Sequence, residues 1–249
     1  VNLLPRLEEG ERLEDNISIA SFDDDLDLVF ATRRGIVKRT PLSEYRNIRV
    51  NGIIAINLVD GDELVETRVA RQGSEIVLAS RSGQAARFDV AEVRSVGRAS
   101  IGVKGMRLDE GDKVVSMAVV MPEDKLLTIT ENGFGKTSLV SDYRKTHRGG
   151  KGVITIRTTE RNGGVVSART ISDDDQILIT TVQGKVIRVA AKEIRTMGRS
   201  TQGVKIMDLA EGDRITAVAR LVGASEEDEI VRTEVHESEV VNFSEESEE

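Results

Sequence analysis

The chain has 249 residues, a net charge of −8, no cysteine, no tryptophan and only two histidines, His147 and His236. This composition excludes a disulfide framework and a thiolate metal site, and it leaves a structural zinc site without enough ligands. No apolar run approaches membrane-spanning length and no signal-peptide layout opens the chain, so the cytoplasm is the expected compartment.

The first element signals are a glycine-led step at Gly10-Glu11-Arg12-Leu13 and the apolar run Leu28-Val29-Phe30-Ala31, which closes at Arg34-Gly35. A second strand, Ile36-Val37-Lys38-Arg39, follows with its bases expected to point outward, and a basic stretch from Tyr45 through Arg46 and Arg49 ends at Gly52. The same pieces then return. Gly61-Asp62-Glu63-Leu64, Ile76–Gly83, Gln84–Arg87 and the loop Val93–Gly102 form the second set. Gly111-Asp112-Lys113-Val114, Leu126–Gly133, Gly135-Lys136 and the loop Tyr143–Gly152 form the third. Asn162-Gly163-Gly164-Val165, Ile177–Gly184, Val186–Arg188 and the loop Ile194–Gly203 form the fourth, and Gly212-Asp213-Arg214-Ile215 begins a fifth. The closing hydrophobics at 13, 64, 114, 165 and 215 are separated by 51, 50, 51 and 50 residues.

A period this regular marks one unit copied along the chain, and periods of about 40–50 residues belong to propellers and related arrays. The runs are short, rich in Ile, Val, Leu and Thr, and bounded by Gly and Asn, which predicts strands joined by tight hairpins. In Asn132-Gly133 both residues tolerate positive φ. Helical periodicity is nowhere sustained; Pro41–Tyr45 supports a single helical turn at most. The expected fold is all-β. Units fall at 1–49, 50–99, 100–149 and 150–199, with a partial unit at 200–223, about four and a half blades in all. A lone blade cannot bury both faces, so copies must stack around an axis. With aromatics at 3% the core must be aliphatic.

Residues 224–249 hold eleven acidic side chains and one basic, a net of −10, which leaves +2 for the preceding 223 residues. Such a tail is expected to be disordered. It is either a solvating terminus or a competitor for basic surface on the body.

Several stretches resemble the C-terminal domain of bacterial-type DNA gyrase A. They are Asn2-Leu3-Leu4-Pro5, Leu58–Leu64, Glu131–Lys136, Lys151-Gly152-Val153-Ile154, Thr159–Gly163 and Thr201-Gln202-Gly203-Val204. The resemblance covers residues 1 to about 220. It implies a β-pinwheel, a six-bladed propeller-like ring whose outer strands are exchanged between neighbouring blades and whose basic perimeter wraps double-stranded DNA. It also implies a non-catalytic module of an ATP-dependent type II topoisomerase that introduces negative supercoils. The partners would be the rest of gyrase A and its companion gyrase B, and ATP and Mg²⁺ would be used outside this chain. The missing part of the ring is expected upstream of Val1, leaving an open or C-shaped array. The family's basic-glycine heptapeptide belongs to the first blade; here Thr146-His147-Arg148-Gly149-Gly150-Lys151-Gly152 is a later blade's copy, with Thr and His at its first two places. Position 1 is not Met, so a fragment, a processed product or an excised domain is expected.

The best candidate site is the loop at 144–152, where Arg144, Lys145, Arg148 and Lys151 alternate with Gly149, Gly150 and Gly152. Glycines let a backbone approach a phosphate and the cations neutralise it. Arg46 and Arg49, Arg94 and Arg98, and Arg195 and Arg199 recur at the same place in the other units, and Lys104 and Lys205 follow the closing glycines of two loops. A ring would set them on one outer belt that binds duplex without reading sequence. A plain solvated connection is the simpler alternative for any one loop. Other signals fail as chemistry. Gly133–Thr137 ends like a P-loop but has Thr130 where the first glycine belongs. Asp23–Asp25 and Asp173–Asp175 read as solvated turns before a strand, with metal binding the alternative. Tyr45 and Tyr143 are expected to pack. No catalytic or metal-binding residue is assigned. Alternatives to the gyrase reading are the related topoisomerase IV protein, serving decatenation, and a ring that binds protein; salt-dependent binding to random duplex separates the last from the others.

Overall fold

A computed structural model describes residues 11–222 except 12, 20, 23, 24, 50 and 51. The acidic tail, Asn2–Pro5, Gly10, Arg12, Asp23 and Asp24 lie outside the described residues. In chain order the strands are β1 (Leu26–Thr32), β2 (Ile36–Pro41), β3 (Leu64–Arg71), β4 (Glu75–Ser80), β5 (Gln84–Asp89), β6 (Val103–Lys104), β7 (Val114–Val120) and β8 (Lys125–Thr130). They continue as β9 (Phe134–Leu139), β10 (Val153–Ile154), β11 (Val165–Ile171), β12 (Gln176–Thr181), β13 (Val186–Ala190), β14 (Val204–Lys205) and β15 (Ile215–Leu221). The helical content of the described residues is four 3-10 turns: Leu42–Tyr45, Val90–Glu92, Val140–Asp142 and Ala191–Glu193.

Three sheets have four strands, in the orders β3-β1-β2-β6, β7-β4-β5-β10 and β11-β8-β9-β14, and the last has three, β15-β12-β13. Each blade is thus a hairpin that takes its inner strand from the next repeat, and the first three also take a two-residue outer strand from the repeat after that. The exchange makes a blade inseparable from its neighbours, and the fold is an all-β pinwheel of four blades. The inner strands pack in series, β3 on β7, β7 on β11 and β11 on β15, with no comparable contact returning from β15 to β3 among the described residues. Their first residues face one axial cavity of about 580 Å³, lined by Leu64, Val114, Val165 and Ile215.

The cores lie between blades, and strand alternation builds them. Val29 and Ala31 face Ile76, Leu78 and Phe88 of the second blade. On the second blade's other side, Val77 and Ala79 meet Leu126 and Tyr143 of the third. Leu127 and Ile129 then meet Ile177 and Ile179 of the fourth. Because side chains alternate across a strand and both faces are covered, the runs read as nearly continuous hydrophobic segments. Tyr45 and Tyr143 are buried at equivalent places.

The hairpin turns differ in detail from the sequence expectation. They are three-residue loops: Gly35, Gly83, Gly133 and Gly184 donate their N–H to the carbonyls of Thr32, Ser80, Thr130 and Thr181. Only glycine takes positive φ among the described residues, so Asn132 does not. A type I turn followed by a left-handed glycine joins the strands without asking this of the preceding residue. Asp175 is not solvated; it is buried, accepts from the Ser172 N–H at 2.6 Å and pairs with Arg220 at 2.7 Å. Asp173 pairs with Lys125. Both are accounted for by turn capping and ion pairing.

Candidate nucleic-acid interface

Each basic loop follows a 3-10 turn and crosses the outer strand of the preceding hairpin. The N–H groups of Val96, Thr146 and Met197 donate to the carbonyls of Arg39, Arg87 and Thr137 at 2.9, 2.9 and 2.8 Å. The loop then turns at Gly102, Gly152 or Gly203 and enters β6, β10 or β14 as the outermost strand. A Cβ on Gly152 would stand 2.2 Å from the Ala85 carbonyl oxygen, so this crossing needs glycine. The joint places the loops at 93–104, 143–154 and 194–205 on the outer edges of three blades. The loop at 46–54 differs. Gly52 has the same left-handed φ of 76°, but nothing lies within 4 Å of its would-be Cβ. Ile48 and Ile54 are exposed, and Ile53 and Ile54 pair with no strand among the described residues.

Arg94, Arg144 and Arg195 occupy one equivalent position, and all three are exposed with no side-chain partner among the described residues. Arg49 is likewise exposed and unpaired among the described residues, whereas Arg46 donates to the Phe22 carbonyl at 2.8 Å. The second set of arginines is structural. Arg148 Nη1 donates to the Lys104 carbonyl at 3.1 Å and its Nε to the Glu92 carbonyl at 3.0 Å. Arg199 Nη1 donates to the Ile154 carbonyl at 3.1 Å, the same link one blade on. Arg98, their counterpart in the first joint, lies 4.0 Å from the Glu44 carboxylate.

Three lysines have acidic neighbours. Lys145 contacts Asp89 at 2.8 Å and Glu75 at 3.0 Å, and hydrogen bonds to those carboxylates hold its amine above the ordinary lysine value. Lys151 pairs with Asp109 and Lys205 with Asp208. Lys104 is exposed at the outermost strand. The glycines serve the backbone: Gly149 donates to the Gly105 carbonyl at 2.6 Å and Gly150 accepts from the Arg107 N–H at 2.9 Å. His147 is almost wholly exposed beside Glu92.

Of the expected outward bases of the second strands, Arg188 is exposed and Arg39 half-buried, but the other three need correction. Lys38, Lys136 and Arg87 are buried. Lys136 Nζ donates to the carbonyls of Gly198 and Arg199 at 2.6 Å each, and Lys38 Nζ to those of Arg98 and Ala55. They turn inward to donate to carbonyls of the loop that crosses above them. Arg107 and Arg157 escape the sequence reading. Both are exposed, and their N–H groups donate to the carbonyls of Gly150 and Thr201 in the next loop, at 2.9 Å each. Their offset of one repeat is the available signal. Among the described residues no cluster of three or more His, Cys, Asp or Glu side chains is placed to hold a metal, and no helix is long and apolar enough to cross a membrane.

Exchanged blades edged by recurrent basic loops define a propeller-like protein of a particular kind. The family model described as the DNA gyrase C-terminal domain, a β-propeller, matches at 26–71, 74–121, 124–172 and 175–221. The chain belongs to that family. It is 44% identical over 219 residues to DNA gyrase A of Deinococcus deserti, covering 86% of this chain and 27% of that protein. It is 40% identical over 230 residues to DNA gyrase A of Escherichia coli K12, covering 92% and 26%. The chain therefore spans about a quarter of the length of these curated relatives. Among solved structures, the C-terminal domain of DNA topoisomerase IV superposes with a TM-score of 0.81 at 26% identity, covering 93% of this chain and 72% of that one. The DNA gyrase A C-terminal domain gives 0.74 at 28% identity, covering 81% and 68%.

Proposed function

We propose that this chain is a DNA-binding module of gyrase A that bends duplex along its outer edge, in support of ATP-dependent negative supercoiling by the whole enzyme. One observation carries the reading: Arg94, Arg144 and Arg195 recur at one position on three successive blade edges, exposed and without a side-chain partner among the described residues. Cations left unpaired at a repeated spacing suit a repeated anion, and the sugar-phosphate backbone is one. Contacts of this kind fix the position of a duplex without reading its bases. Bending a short duplex costs several kcal/mol, which many contacts along a curved track must offset. The blade joints supply such a track, because the Arg148–Lys104 and Arg199–Ile154 links tie each basic loop to the one before.

Duplex, the remainder of gyrase A, and gyrase B are the proposed partners, with cleavage, ATP and Mg²⁺ chemistry assigned outside this chain. Gyrase is favoured over topoisomerase IV by the curated relatives at 40–44% identity, although the topoisomerase IV domain superposes with the higher TM-score. The test is plasmid relaxed and religated in the presence of the chain. A shift in linking number that scales with protein and fades with salt is expected. Unchanged topology together with salt-insensitive binding would reject the reading.

A further inference from the structure

Lys38 and Lys136 stand at the same register on their second strands, opposite Phe30 and Thr128, and both are fully buried. The second blade has Ala86 there and the fourth has Ile187. A buried ammonium is costly unless its donors are satisfied. The carbonyls of Gly198 and Arg199 satisfy Lys136, and those of Arg98 and Ala55 satisfy Lys38, which also sits 5.2 Å from the centre of the Phe30 ring. Arg98 and Arg199 are themselves rim residues. The other groups facing Lys38 are Glu44 and the Tyr45 hydroxyl, which shares the Ala55 carbonyl at 3.2 Å; Lys136 is faced by Asp142.

We propose that Lys38 and Lys136 are positioning residues of the basic edge, gripping two crossing loops by their backbone carbonyls, and that they couple duplex binding to the uptake of protons. The coupling rests on the nucleic-acid reading above. Burial pushes each amine down to about 8, with the neighbouring arginine pressing the same way and Glu44 or Asp142 opposing it. A phosphate bound to the loop that each amine grips, at Arg94 or Arg195, adds negative charge to the amine's surroundings and favours its protonated form. Where the amine is partly neutral in the free protein, binding must draw in a proton. By linkage, affinity then falls as pH rises through about 8. The second blade is a built-in contrast. There Arg87 Nη1 grips the Val140 and Tyr143 carbonyls at 2.7 and 2.9 Å, and a guanidinium keeps its charge.

The experiment measures binding of the full chain to random-sequence duplex at fixed ionic strength from pH 7 to 9.5. Proton uptake is read by titration calorimetry in two buffers of different ionisation heat. Above pH 8 affinity should weaken by about tenfold per pH unit for each lysine that stays protonated in the complex, with net proton uptake at pH 8.5. The Lys38→Met, Lys136→Met pair should flatten the profile while every other titrating group, the α-amino group included, is kept. Lys136→Arg should remove that lysine's share of the pH dependence while keeping a fixed charge. A flat profile with no proton uptake overturns the proposal, as does a pH dependence that survives in the double variant. The proton count is read on the unaltered chain, so it decides even where a Met variant does not fold. Absence of duplex binding at every pH would instead reject the proposed function.

Discussion

Arg148 reaches across a blade boundary to the carbonyl oxygen of Lys104, 3.1 Å away, and its own N–H meets the Glu92 carboxylate at 2.9 Å. The most basic and glycine-rich loop of the chain thus commits its central cation to holding two blade edges together. Arg144, four residues earlier, keeps its charge for solvent.

This division predicts different phenotypes. Arg148→Ala should lower Tm by a few degrees, because a hydrogen bond to a charged donor is worth about 1 kcal/mol or more and that much moves Tm by roughly 2–4 °C at this size. It should also weaken duplex binding. Arg144→Ala should leave Tm within about 1 °C. Differential scanning calorimetry of the two variants checks this; equal Tm losses would count against it.

Gly152, at a crossing, and Gly52, in the loop that pairs with no strand among the described residues, offer a matched pair. Gly152→Ala forces a side chain into φ +85° and sets its Cβ 2.2 Å from the Ala85 carbonyl oxygen. Gly52→Ala meets the same kind of φ, +76°, with open space around it. The backbone cost is about 1–2 kcal/mol in each, but only Gly152→Ala adds a clash that parts β10 from β5. Urea midpoints should fall clearly further for Gly152→Ala.

Much of this fold was legible because period and alternation are local. The 50-residue ladder placed every hairpin, and the glycines at 102, 152 and 203 marked the three crossings. Exchange of outer strands was implied by the family resemblance, because no local pattern says that Val153–Ile154 pairs with Gln84–Ala85. The inward turn of Lys38 and Lys136 was not legible, since in sequence a lysine on a strand beside a hairpin reads as a surface base. What reverses it is the carbonyl of a loop about sixty residues later. For the same reason the roles of Arg144 and Arg148 could not be told apart before the joint was seen.

Acid should act through Glu75. Burial alone would raise its pKa, but hydrogen bonds from Arg87 at 2.5 Å and Lys145 at 3.0 Å outweigh this and hold it below 4.5. A carboxylate with a depressed folded-state pKa contributes stability that is fully present above the unfolded value and is lost as pH falls through the folded one. Urea midpoints should therefore hold steady above about pH 5.5 and drop below about 4.5. Glu75→Gln should be less stable at neutral pH by about 3 kcal/mol, since the buried Arg87 loses its carboxylate partner, and should lose part of the acid-dependent drop.

Removing residues 224–249 should tighten duplex binding. The segment carries a net −10 against +2 for the rest of the chain, so it can compete with DNA for the basic edges. Exposed charges lose most of their influence beyond a Debye length of about 10 Å at 0.1 M salt, so the gain should be largest at low salt and shrink above it. Equal affinity of the two forms at low salt would make the tail a solubilising end.

The unpaired arginines can be counted in solution. Each phosphate neutralised by a protein cation releases condensed counterions, and the log–log dependence of affinity on salt steepens by about 0.9 per contact. Arg94, Arg144 and Arg195 are free to make one such contact each. Replacing all three with Ala should flatten the slope by up to about 2.7 and weaken binding uniformly across duplex sequences. The fold should persist, because none of the three side chains has a partner among the described residues. Removing the paired cations Lys151 and Lys205 should change the slope less, since each must leave Asp109 or Asp208 before meeting a phosphate. Fluorescence anisotropy on two unrelated duplexes at four salt concentrations decides it. An unchanged slope in the triple variant would remove these arginines from the interface, and a sequence-dependent loss would mean that they touch bases.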